Sequence, residues 1–335
     1  MRVRRVAVSA AVLGLSLLAA QDARADCVVA GTPVIAKAVP LFGSATGTIV
    51  LGSFTGQPVP ARLTLGGGSR AALKTGGGFR VEGFVEMASV PAYTQRNVAI
   101  AEGHVWIGTG RTVKVTGGTD ASVQIEFAAP MPVDQTVRAT TSCDALGLDP
   151  PTGRTATPPD GARSWVAKRA PLLLRNKPGG ESVFRFTSDA VKGALLFWGT
   201  EVRGGSVKVA LASDLVVDAW ADVKDLEAMP RGEMLDAVAT AGVAVTRPPK
   251  VTLGGSVKIV KAPADLPIRA KGDDASPPIG MVDAGTEVAI LETIVGWSNV
   301  VPTTFAVMPP ATGGFWVKAD GLVPPVRRPP ASPLE

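Results

Sequence analysis

Apolar residues recur every second position through much of the chain. Val123, Ile125 and Phe127 alternate with Gln124 and Glu126, and Val207, Val209 and Leu211 alternate with Lys208 and Ala210. A period of two puts successive side chains on opposite faces of an extended backbone, so these runs predict half-buried strands. Val183-Phe184-Arg185-Phe186 and Val288 to Val295 read the same way. Glycine runs separate the strands: Gly66-Gly67-Gly68, Gly76-Gly77-Gly78, Gly117-Gly118, Gly204-Gly205 and Gly254-Gly255. Glycine admits positive φ at little cost, which predicts hairpin turns or bulges there. A phosphate-cradling loop would need a following Lys-Ser/Thr and a helix, and neither follows. The pattern yields one short helix, around Glu233 to Thr240. The fold class expected is all-β.

The first 25 residues carry Arg2, Arg4 and Arg5, then an apolar run from Val6 to Ala20, then Ala23-Arg24-Ala25. This is the grammar of a cleaved secretory signal, and the run falls short of the ~20 apolar residues that span a bilayer. Arg24, Ala25 and Asp26 precede Cys27 and argue against lipid modification there. No later run is long enough to span a membrane, so a periplasmic or secreted chain without a membrane span is expected. The formal charge is +5, but the signal holds four Arg and one Asp, so its removal leaves about +2. The remaining Lys and Arg are scattered, which predicts no nucleic-acid partner.

In an exported chain, Cys27 and Cys143 meet an oxidising environment. One internal disulfide is expected, worth about 4–5 kcal/mol on loop entropy. A free or intermolecular Cys27 is the alternative, and spacing does not choose between them.

The chain divides at Pro- and Gly-rich stretches. A β-rich region over 26–148, of one or two small domains, is followed by a linker at 149–163 and a unit at 164–229. A connector at 230–250, a unit at 251–323 and a Pro-rich tail at 324–335 complete the chain. Internal similarity links the two later units. Trp220, Lys224 and Leu226 match Trp316, Lys318 and Leu322 in order, and Gly204-Gly205-Ser206-Val207-Lys208 recurs as Gly254-Gly255-Ser256-Val257-Lys258.

From Ala262 to Val323 the sequence resembles a bacterial Src-homology-3 domain. The resemblance rests on an apolar run with Arg269 near its start and on the strand entry Gly285-Thr286-Glu287-Val288. The pair Gly296-Trp297 and the closing Phe315-Trp316-Val317-Lys318 with Leu322 complete it. Residues 165–227 are similar more loosely and lack the Gly-Trp pair. The resemblance implies tandem small SH3-like β-barrels joined by Pro/Gly-rich linkers. It also implies recognition of cell-wall peptidoglycan or an envelope protein through loops and strand edges. Trp297, Trp316, Arg269 and Lys318 are the candidate binding residues, although large indoles equally suit the core of a small barrel.

Reactive chemistry finds little support. The one histidine, His104, lies in Gly103-His104-Val105-Trp106, and Asp273-Asp274 lies in a polar loop beside Lys271 and Gly272. A Cys nucleophile needs a base in reach, and paired Cys27 and Cys143 would leave no thiolate. No catalytic residue, cofactor or metal site is expected. Three functions follow in order: a non-enzymatic exported protein binding a cell-envelope component, a structural or adaptor subunit of an envelope complex, and a hydrolase within 28–148.

Overall fold

The computed structural model describes residues 27–55, 57–101, 103–150, 156–230 and 257–322. The signal expected at the N-terminus, the helix expected at Glu233 to Thr240, Gly254-Gly255 and the Pro-rich tail lie outside the described residues. Within them the regular structure is antiparallel strands and short 3-10 turns. Alternation is the cause: along Val123–Ala129 the residues at 123, 125, 127 and 129 are buried, while Gln124 and Ala128 face solvent. The glycine runs do different work. Gly77, Gly204 and Gly205 adopt positive φ at tight turns, whereas Gly117 sits at a register shift between Thr112–Gly118 and Val123–Ala129.

Two parts of the chain share one strand order. In a nine-stranded sheet, Ser182–Phe186, Leu172–Arg175, Leu215–Asp222, Ser206–Ala212, Leu196–Arg203 and Arg163–Ala167 are successive neighbours. In a thirteen-stranded sheet, Pro278–Val282, Leu266–Arg269, Trp316–Lys318, Trp297–Pro302, Glu287–Ile294 and Lys258–Lys261 follow in the same sequence-related order. Register agrees too: Arg175 lies opposite Trp220, and Arg269 lies opposite Trp316. In both, the arginine Nη1 donates to a carbonyl of the next loop, that of Gly180 at 2.8 Å and that of Ser276.

The second of these units is continuous with the start of the chain. Strands Cys27–Gly31, Ala61–Leu65, Arg70–Thr75 and Phe79–Glu86 form an antiparallel run, and Phe79–Glu86 then pairs with Pro278–Val282. A second ladder joins Val50–Phe54 to Val307–Met308. Glycine permits both joins. A Cβ on Gly52 would stand 2.5 Å from the Met308 carbonyl oxygen, and one on Gly280 would strike the Arg80 carbonyl. Buried Phe79 and Phe315 meet at 5.9 Å between ring centres, and each such side chain contributes roughly 1.5–3 kcal/mol on burial. The Thr55 hydroxyl donates to the Phe305 carbonyl at 2.6 Å, and Arg80 pairs with Asp283.

Between these lies a five-stranded sheet of Gln135–Thr141, Val123–Ala129, Thr112–Gly118, Ala92–Thr94 and Leu146–Gly147. It is tethered to the first strand by the disulfide Cys27–Cys143, with S–S 2.04 Å and Cα atoms 5.5 Å apart. The internal bridge expected from the sequence is present, and it fits an oxidising compartment. On the other side Arg111 meets Asp214 at 3.1 Å, both largely buried. Burial pushes the Asp214 carboxyl above its ordinary range, and the Arg111 charge partly offsets this. Strands Val98–Ala101 and Val105–Ile107 leave the same region to extend the nine-stranded sheet along Leu215–Asp222. Among the described residues no helix is long and apolar enough to cross a membrane.

Candidate functional site

Where the first strands meet the last unit, three depressions of about 630, 780 and 590 Å³ connect in series. Thr64, Ala72 and Phe84 line the first two, and Gly43, Leu51, Pro277 and Ile279 line the second and third. The floor follows from register. Thr64, Ala72 and Phe84 stand side by side across three strands on the outer face, while Leu63 and Leu73 point into the core. One wall is the turn between Val39–Phe42 and Val50–Phe54, and the other is the loop 270–277.

Three ion pairs rim this trough, while Lys271 and Asp273 line its third depression outside these pairs. Lys74 meets Glu82 at 2.5 Å, Arg70 meets Glu86 at 2.8 Å, and Arg80 meets Asp283. Arg70 also lies 3.5 Å above the Phe42 ring centre and donates to the Gly47 carbonyl at 2.6 Å. It therefore braces the first wall from beneath.

The four residues singled out in the sequence converge behind the second wall. Trp297 and Trp316 are 6% and 9% exposed, so neither indole presents an open face to a ligand. Lys318 lies opposite Trp297 in register, with its Nζ 4.3 Å from the ring centre and 2.7 Å from an Asp274 carboxylate oxygen. Arg269 holds the Ser276 carbonyl, and the Asp273 carboxylate accepts from the Ser276 backbone N–H at 2.6 Å. Gly272 lies against Trp297, where a Cβ would come within 3.2 Å of the indole. The structure thus makes Arg269, Lys318 and Trp297 supports of the loop 270–277, with Trp316 beside them, opposite Arg269 in register. Floor residues Thr64, Ala72 and Phe84 carry no chemical signature in the sequence. Only the alternation along their strands could have marked them as one outward face.

The other candidates lie elsewhere. The His104 ring is bonded through Nδ1 to the Asp218 carbonyl at 3.1 Å, at the turn before Val105–Ile107. Among the described residues no three His, Cys, Asp or Glu side chains gather as metal ligands.

No protein-family model and no curated protein matches the chain. Among solved structures, NlpC2 from Trichomonas vaginalis is similar at 12% identity and a TM-score of 0.17, covering 50% of this chain and 49% of that one. NlpC1 from the same organism is similar at 9% identity and a TM-score of 0.18, covering 50% and 48%. The chain thus spans about half the length of either, and likeness at this level carries no argument about function.

Proposed function

We propose that the protein is an exported, non-enzymatic binding protein that takes up a cell-envelope component, peptidoglycan in the first instance, in the trough between its first and last strands. The observation that carries this reading is the trough itself. It is long and open, with a floor of Thr64, Ala72 and the half-buried Phe84, apolar flanks at Leu51 and Ile279, and rims where most charges are paired. Such a shape suits a chain laid along it better than a compact molecule that must be enclosed. The disulfide and the N-terminal signal grammar support a location outside the cytosol.

Co-sedimentation of the mature chain with purified peptidoglycan sacculi tests the reading. Retention is expected, and Ala72→Arg, which fills the floor from the outer face, should abolish it while circular dichroism stays unchanged. Retention no greater than that of an unrelated exported β protein would reject it. A second reading, an adaptor subunit of an envelope complex, draws on exposed apolar side chains of the last unit. Ile259 is 59% and Val295 98% exposed, and such groups serve protein contacts. Stable co-purification with another envelope protein, independent of wall material, would favour that alternative.

A further inference from the structure

Resting on the trough as a binding site, we infer that its end beside Gly66-Gly67-Gly68 is built to contact an uncharged sugar chain rather than a polyanion or a charged peptide. Three observations converge on this end. The first concerns the glycines. None of the three has positive φ, and a Cβ on Gly66 or Gly67 would meet nothing within 4 Å. A hairpin turn that needed glycine for its backbone, as at Gly77 with φ 77°, would show one of these constraints. With neither present, what the missing side chains leave is bare backbone on the wall of a depression of about 630 Å³. Glycine serves where a ligand must approach the main chain closely.

The second observation is charge. The two ionic side chains lining this end, Arg70 and Glu86, are bonded to each other, and Arg70 is further committed to the Gly47 and Ser44 carbonyls. A polyanion would find its counter-charge already taken, and a cationic peptide would find the same of Glu86.

The third is the kind of polar group left available. Thr46, Thr64 and Ser69 line the depression, and their hydroxyls bond to no described side chain or backbone group. Hydroxyls and backbone amides both donate and accept, which matches the hydroxyl and amide groups of a sugar. The half-buried Phe84 ring on the floor supplies an apolar surface for the flat face of a pyranose.

The test uses the full mature chain and two probes, a neutral tetramer of β-1,4-linked N-acetylglucosamine and the same tetramer O-sulfated, titrated calorimetrically. The neutral tetramer should bind with an affinity unchanged between ~0.05 and ~0.5 M salt, because no net charge is exchanged. Thr64→Val, which keeps the side-chain shape, and Gly67→Ala should each weaken it by about tenfold, the scale of one lost polar contact. Gly67→Ala should meanwhile leave the melting temperature unchanged or raise it, since alanine narrows the unfolded ensemble where the native backbone admits it. Binding confined to the sulfated tetramer, or lost with salt, would overturn the inference. So would full affinity in both variants, or unfolding of Gly67→Ala. Sacculus binding without tetramer binding removes this inference and leaves the proposed function. Tetramer binding without sacculus binding does the reverse.

Discussion

Gly280 faces Val81 across the ladder that joins the last unit of the chain to its first strands. A Cβ on Gly280 would stand 3.0 Å from the Val81 Cα and closer still to the Arg80 carbonyl oxygen. Backbone cannot yield there as a flexible side chain would. Gly280→Ala should therefore destabilise the protein by about 2 kcal/mol, in the middle of the range for overpacking, read as a lower urea midpoint. An unchanged midpoint would mean that the ladder is not held at this spacing.

The disulfide gives a second expectation. Cys27 and Cys143 are separated by 116 residues, so the bridge restricts nearly the whole unfolded N-terminal region. Loop entropy assigns it about 5 kcal/mol. The double variant Cys27→Ser, Cys143→Ser should lose a large part of this in equilibrium denaturation. A loss under about 1 kcal/mol would contradict the loop-entropy account.

The strands were legible because packing on one face imposes a period of two, visible at Val123–Ala129 and Ser206–Ala212 without knowledge of any partner. The correspondence of Trp220 with Trp316 was legible too, and the structure sets each opposite an arginine. Long-range pairing was not. Nothing local in Phe79–Glu86 announces Pro278–Val282 as its neighbour, because cross-strand partners are chosen by the whole sheet and not by the strand. The site was half legible for the same reason. Trp297, Trp316, Arg269 and Lys318 drew notice through size and charge, and they gather behind a wall of the trough. Apart from Phe84, the floor and the Gly66–Gly68 wall consist of small residues, whose contribution is space.

Lys318 tests that supporting role. Its ammonium lies between the Trp297 ring and Asp274, yet its side chain remains 44% exposed, so water screens much of the ion pair. Lys318→Met should cost no more than about 1 kcal/mol overall. Its larger effect should be local: faster tryptic cleavage after Lys271 and a red-shifted Trp297 contribution to the emission. Unchanged cleavage would show that Arg269 and Asp273 suffice to hold the loop.

Acid sensitivity follows from the turn that carries Cys143. The Ser142 hydroxyl donates to the Asp144 carboxylate at 2.5 Å, and Arg96 approaches it at 3.0 Å. The hydroxyl bond is the larger influence, and together they hold the Asp144 carboxyl below its ordinary range. A carboxyl that is more acidic when folded adds stability above its unfolded pKa and loses it as the pH falls through its folded pKa. Ser142→Ala removes the main cause and should return Asp144 toward ordinary acidity. Stability against pH for wild type and variant should then run parallel near neutrality, wild type higher. The two curves should converge on acidification below the ordinary carboxylate range. A gap that stays constant down to low pH would mean that the lost hydroxyl acts through turn geometry and not through the charge of Asp144.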